Sequence, residues 1–251
     1  MIAVNGLYKH FGEKPVLRGI DCHVKKGEVL VLIGPSGSGK SSLLRCIGGL
    51  EPFQEGSVQV GKTRVSGTAF KKMSKSETET LRQLRIKVGM VFQQFHLFPH
   101  MTVLGNIVEA PMRVLKLSEN QAVARAQEVL AKVKMTAFMN RFPASLSGGE
   151  QQRVAIARTL AMEPECVLFD EPTSSLDPET VGDVLAVMRF LASEGMTLLV
   201  VTHEMSFARE VADRILMLDE GKIIESGSAE EIFQQPKQDR TRTFLQRILN
   251  R

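Results

Sequence analysis

Cysteine is scarce in this chain of 251 residues, with Cys22, Cys46 and Cys166 the only three. They lie too far apart for a zinc-binding pair, and an odd number gives no disulfide framework at this length. A reducing compartment is the expected setting. No segment can cross a bilayer as a helix. The nearest approach, residues 88–108, contains no Asp, Glu, Lys or Arg, but Gln93, Gln94, His96, Pro99, His100 and Asn106 interrupt it. The first ten residues lack the basic start and long apolar stretch of an export signal. Neither sign of charge dominates: 32 Lys and Arg against 28 Asp and Glu leave +4, too balanced for a dedicated nucleic-acid binder. Internal repeats, heptad runs and low-complexity segments are also missing. What remains, 43% hydrophobic and 24% charged residues, can bury a core, and the length fits one large domain or a core with an inserted subdomain.

Apolar runs rich in Val, Ile and Leu predict five buried strands of a mostly parallel sheet, at 29–33, 88–92, 166–169, 197–201 and 215–218. Helical patterns separate them and carry start signals: Ser118 with Gln121, Asp177 before Pro178, and Ser228 with Glu231. The fold class is therefore α/β. Short strands punctuated by turns around 25–27 and 56–65 suggest a small antiparallel sheet beside the main one. Residues 62–85 are polar and lysine-rich and read as a solvated loop and helix, residues 94–157 as a helix-rich insertion, and the chain after Gly227 as two short helices.

Gly34-Pro35-Ser36-Gly37-Ser38-Gly39-Lys40-Ser41 follows the predicted strand 29–33 and opens a helical pattern over 41–48. Strand, glycine-rich loop and helix in that order form a P-loop: curled backbone N–H groups and a helix start face phosphate oxygens, Lys40 adds a charge, and Ser41 offers a hydroxyl to Mg²⁺. The expected ATP contacts are Gly34, Ser36, Gly37, Gly39, Lys40, Ser41 and Ser42. A plain glycine-rich turn is the alternative, but it leaves Lys and Ser at those offsets unexplained. Strand 166–169 runs into Asp170 and Glu171, a Walker B pattern. Adjacent strand residues point in opposite directions, so the two acids take different tasks. Asp170 is expected at Mg²⁺ and Glu171 at the attacking water as general base. Acids that merely end a buried strand in solvent are the other reading.

Many P-loop proteins share this much. Leu146-Ser147-Gly148-Gly149-Glu150-Gln151-Gln152-Arg153 strongly resembles the signature of the ABC ATPase family. On physical grounds Ser147 and Glu150 also form a capping box before a helix at 151–161, and such a helix start attracts anions. Further landmarks occur in order: Gln93 matches the Q-loop glutamine, Ser174-Ser175-Leu176-Asp177 the D-loop, and His203 the switch histidine. The resemblance places Gln93 at Mg²⁺ and the γ-phosphate, Ser147 and Gly149 over the nucleotide of an opposing subunit, and Phe11 at the adenine, with Val16 also among the nucleotide-binding residues. An ordinary core role is the alternative for Phe11. Phe92-Gln93-Gln94-Phe95-His96-Leu97-Phe98-Pro99-His100-Met101-Thr102-Val103, Val201-Thr202-His203-Glu204-Met205-Ser206-Phe207-Ala208 and Arg240-Thr241-Arg242-Thr243-Phe244-Leu245 look like the polar amino-acid uptake subfamily. Ser175 in place of Ala, Gly105 in place of Glu and a longer stretch near 62–80 depart from its pattern.

The resemblance covers almost the whole chain. It implies a P-loop NTPase (RecA-like) core over 1–93 and 158–251, including an N-terminal antiparallel β subdomain, with a helical signature subdomain inserted over 94–157. It further implies ATP hydrolysis with Mg²⁺ by a homodimer, transmembrane permease subunits as partners, a solute-binding protein as an indirect one, no nucleic acid, and a peripheral place on the cytoplasmic face of the inner membrane. Phe95, Leu97, Phe98, His100 and Met101 are candidate permease-docking residues if exposed, and interior residues of the helical insertion if not. The rival is a soluble ABC ATPase acting on DNA or ribosomes. The interval between Lys40 and Ser147 lacks the long coiled coil of the first kind, and the chain lacks the second cassette usual in the other.

Overall fold

Strand residues buried on both sides of a sheet must be apolar without interruption, and Val29–Ile33, Cys166–Asp170 and Thr197–Val201 are each buried along their whole length. A computed structural model, which describes residues 1–67 and 73–249, places them at the centre of a six-stranded sheet. In chain order the strands are β1 (Ile2–Phe11), β2 (Lys14–Val24), β3 (Val29–Ile33), β4 (Glu55–Val60), β5 (Thr63–Ser66), β6 (Val88–Val91), β7 (Cys166–Asp170), β8 (Thr197–Val201), β9 (Arg214–Asp219) and β10 (Lys222–Gly227). The large sheet runs β10-β9-β3-β8-β7-β6, parallel except for the β9–β10 hairpin. All five strands expected there are present, within a residue at most ends. β10 was not expected: its residues Lys222, Glu225 and Ser226 dilute the apolar pattern because this edge strand is only partly buried.

The antiparallel sheet, β2-β1-β4-β5, is as predicted in kind but not in dimension. Its first two strands are long, and Lys25-Lys26-Gly27 is the link from β2 into the other sheet rather than a hairpin turn. The helices are α1 (Lys40–Ile47), α2 (Lys75–Lys87), α3 (Val103–Val114), α4 (Glu119–Lys132), α5 (Gly148–Leu160), α6 (Pro178–Ser193), α7 (Met205–Val211), α8 (Ala229–Gln234) and α9 (Asp239–Leu249). Ser118 and Ser228 close the capping boxes read from the sequence. Asp177 stands at the start of α6 without a side-chain bond to it. The polar stretch yields β5 and α2, while residues 68–72 of it lie outside the described residues.

Side chains of β3 alternate between two cores. Val29, Val31 and Ile33 meet α3 to α6 on one face, and Leu30 and Leu32 meet α1 and the antiparallel sheet on the other. Each fully buried Leu or Ile of α1, such as Leu43, Leu44 and Ile47, contributes about 1.5–3 kcal/mol. From β3 the chain crosses to the β6 edge, returns through β7 and β8, and then passes over β3 to β9. That reversal beside β3 is where α/β sheets bind ligands, at the carboxyl ends of their strands.

Candidate nucleotide site

The predicted loop leaves the carboxyl end of β3 at that reversal. Gly39 caps α1 at φ 105° with no side-chain hydrogen bond, so the first-turn amides of Lys40, Ser41 and Ser42 carry no side-chain cap. A Cβ on Gly39 would also come within 2.9 Å of the Val16 carbonyl oxygen, which puts Val16 against the loop. Gly34 is buried, Ser36 and Gly37 are exposed, and Ser42 is half-buried. Lys40 is 5% exposed, and its Nζ donates to the carbonyls of Gly34 and Pro35 at 2.8 and 2.9 Å. Burial pulls its ammonium below the usual range, opposed by Glu171 and Asp170.

Ser41 Oγ donates to Asp170 Oδ1 at 2.6 Å, joining the loop to the end of β7. On the other oxygen of Asp170, Arg45 Nη2 lies 3.6 Å away. Burial pushes the Asp170 carboxyl above its ordinary range, against the Ser41 hydrogen bond and the Arg45 charge. Glu171 points elsewhere, not through strand alternation, since β7 ends at Asp170, but because its own backbone turns into left-handed space just past the strand. Its Oε1 meets His203 Nε2 at 3.2 Å, and its Oε2 accepts from Ser174 Oγ at 2.9 Å. The His203 bond holds the Glu171 carboxyl below the usual carboxylate range despite partial burial. His203 itself is exposed, two residues past β8. Gln93 is exposed as well. The β6–β7 ladder pairs Val91 with Phe169, so Gln93 lies two residues beyond a pair that Asp170 and Glu171 directly follow.

Phe11 is 52% exposed, which removes the core reading, and Lys9 Nζ stands 4.3 Å from its ring centroid. The signature helix α5 begins three residues earlier than expected. Ser147 is its N-cap, with Ser147 Oγ accepting from the Glu150 amide at 3.3 Å and the Ser147 amide donating to Glu150 Oε2 at 2.7 Å. Ser147 is exposed, whereas Gly149 is buried: a Cβ there would stand 2.7 Å from Thr180 Cβ, so close packing on α6 requires glycine. Among the described residues no hydrogen bond joins Ser147 to the P-loop.

A profile described as ABC transporter matches residues 17–174. The chain belongs to that family. The glutamine transport ATP-binding protein GlnQ of Bacillus subtilis (strain 168) is 53% identical over all of both chains. The L-cystine transport system ATP-binding protein TcyN of Escherichia coli (strain K12) is also 53% identical, over 99% of this chain and 98% of that one. Among solved structures, a dimeric post-hydrolysis state of an ATP-binding cassette bound to ADP and Pi matches with a TM-score of 0.76 and 34% identity, covering 91% of this chain and 99% of that one.

Several supports of this ABC site were not read from the sequence. The β9–β10 turn braces the P-loop: the Gly221 amide donates to the Ser38 carbonyl at 3.1 Å, and a Cβ on Gly34 would collide with the Leu218 carbonyl. Gln152 of α5 donates to the Phe92 carbonyl at 3.0 Å, and Arg158 to the carbonyls of Phe95 and His96 at 3.1 and 2.7 Å, tying the signature helix to the Gln93 loop. The Glu220-Gly221 pair after an apolar run was the available signal for the turn. A backbone carbonyl as partner leaves no sequence signal.

Proposed function

We propose that this chain is the ATP-hydrolysing subunit of an importer for polar amino acids, acting as a head-to-tail homodimer against a separate transmembrane permease at the cytoplasmic face of the membrane. The observation that carries the reading is the junction at the end of β7, where Asp170 is fastened to the P-loop serine and the next residue, Glu171, to His203. Relatives named for glutamine and for cystine transport are equally similar, which supports the substrate class and leaves the individual solute to the permease and binding protein. Residues 1–93 and 158–251 then hold nucleotide, and 94–157 carry the signature.

The donor set fits Mg²⁺. Ser41 and Asp170 supply hard oxygen ligands, Ser41 donates a hydrogen bond to Asp170 and so keeps its lone pairs free, and a carboxylate penalised by burial gains from a divalent cation beside it. When bound, Mg²⁺ supplies positive charge to the β- and γ-phosphates. Lys40 exchanges the carbonyls of Gly34 and Pro35 for phosphate oxygens, and the uncapped amides of α1 add their donors. Glu171, kept ionised by its partners, takes a proton from the attacking water, and His203 holds its carboxylate in place and reaches the γ-phosphate. Phe11 stacks on the base. In a second copy, Ser147 retains its hydroxyl proton for phosphate because its oxygen accepts from Glu150, and the α5 start adds its partial positive charge. Gln93, at the end of the neighbouring strand, passes closure to the permease.

The test is purified Glu171→Gln. Turnover falls by about 10² or more, as for loss of a general base, while the variant binds ATP and elutes as a dimer with it. Near-normal turnover, or a monomer at every nucleotide concentration, overturns the reading.

A further inference from the structure

Both oxygens of Asp170 are addressed from one face of α1. Ser41 and Arg45 are one helical turn apart, and while Ser41 holds Oδ1, Arg45 Nη2 stands 3.6 Å from Oδ2. The other arm of the same guanidinium, Nη1, lies 3.4 Å from Glu51 Oε1. Glu51 is delivered there by the turn that ends α1, where its amide donates to the Arg45 carbonyl at 3.1 Å. Its second oxygen, Oε2, is buried without a hydrogen-bond partner, and Lys9 Nζ lies 3.9 Å from it. Lys9 is 2% exposed and is pinned by a 2.7 Å bond to the Pro52 carbonyl. A row of alternating charges, Lys9, Glu51, Arg45, Asp170, thus runs from beneath the Phe11 ring to the P-loop serine.

We propose that Arg45 is a positioning residue that sets the plane of the Asp170 carboxylate, and that Glu51, anchored by Lys9, sets Arg45. The inference rests on the reading of Asp170 as a metal ligand. A carboxylate held by one hydroxyl can still rotate about its Cβ–Cγ bond, and a guanidinium charge 3.6 Å from the opposite oxygen, beyond hydrogen-bond reach, restrains that rotation electrostatically. The bare Glu51 Oε2 points to the same role. A buried carboxylate oxygen without a hydrogen bond is costly, and its position between two cations is what keeps it there. Bridging Asp170 and Glu51 needs two nitrogens in a fixed fork. A lysine ammonium carries the charge but offers a single nitrogen.

The experiment uses the full chain in a Glu171→Gln background, chosen to slow hydrolysis of bound ATP, with Mn²⁺ as probe. Free Mn²⁺ is read by electron paramagnetic resonance, and metal-free binding of a fluorescent ATP analogue is read in EDTA. Arg45→Met is expected to weaken Mn²⁺ binding by about tenfold, the low end for groups that orient metal ligands because Arg45 is 45% exposed. Metal-free nucleotide binding should change by less than about twofold, since Arg45 touches no phosphate-binding group except through Asp170. Arg45→Lys should fail to restore Mn²⁺ affinity, and Glu51→Gln should weaken it in the same direction. Mn²⁺ affinity unchanged in Arg45→Met, restored fully in Arg45→Lys, or lost in proportion to metal-free binding overturns the brace while leaving the metal assignment intact. If Asp170→Asn leaves Mn²⁺ affinity unchanged, the metal reading itself falls, and the brace falls with it.

Discussion

Glu171 occupies left-handed backbone space at φ 48°, a conformation that costs a residue with a side chain about 1–3 kcal/mol. Its amide bond to the Val201 carbonyl at 3.0 Å holds it there and turns its carboxylate away from Asp170, toward His203 and Ser174. Two neighbouring acids serve different partners because the strand ends between them. The thiols show the opposite situation, side chains with no polar partner to use. All three cysteines are free, Cys46 and Cys166 are buried and Cys22 is half-buried, and burial pushes each thiol up to about 12. A raised thiol pKa leaves little reactive thiolate near neutral pH. The folded chain at pH 8 should therefore react slowly with a thiol reagent, Cys22 first, and all three thiols should react at once in guanidinium. Mass mapping of the labelled peptides checks the order, and rapid labelling of Cys46 or Cys166 in the native chain would contradict it.

Among the elements, α4 offers the cleanest test of a sequence-readable interaction. Ser118 and Gln121 satisfy each other's backbone donors at its start, both exposed and far in sequence from the P-loop and Walker B residues. Ser118→Ala removes the cap and should destabilise the chain by about 1 kcal/mol, lowering Tm by roughly 2–4 °C with ATP turnover unchanged. Calorimetry and a steady-state assay read both, and an unshifted Tm would show that the cap contributes nothing. Caps of this kind were legible because donor and acceptor sit three residues apart. The central strands were legible because burial on both faces forces unbroken apolar runs. β10 was not, since an edge strand keeps polar residues on its open side. Nor was the row from Lys9 to Asp170, whose members come from β1, the turn after α1, α1 itself and β7. Only the Ser41–Arg45 spacing was local, and a lone arginine one turn after a P-loop serine says nothing about a carboxylate over a hundred residues away.

At the scale of the whole molecule, the parallel sheet separates two cores, and its carboxyl edge gathers the P-loop, Asp170, Glu171, His203 and Gln93 from four different strand ends. No helix among the described residues is long and apolar enough to cross a membrane. The uncharged segment after β6 divides as its burial dictates: Leu97 packs on the core, Phe95 and Met101 are half-buried, and Phe98 and His100 are exposed. Phe98 lines a groove of about 410 Å³ with Met90, His96, Arg158 and Met162. Its backbone is fixed independently of its ring, because buried Asn106 accepts from the Phe98 amide at 2.7 Å and donates to its carbonyl at 3.1 Å. Phe98→Asp should therefore leave the fold and the ATP turnover of the isolated chain within about twofold, whereas a central aromatic anchor lost from an interface typically costs about 2 kcal/mol or more. The expected result in the assembled transporter is loss of copurifying permease and a fall in solute uptake of at least about tenfold. The same groove lies against the loop that Arg158 and Gln152 tie to the signature helix, so under the proposed dimer mechanism a partner seated there would be linked to nucleotide closure through α5. Normal assembly and uptake with Phe98→Asp would place the permease contact elsewhere on the chain.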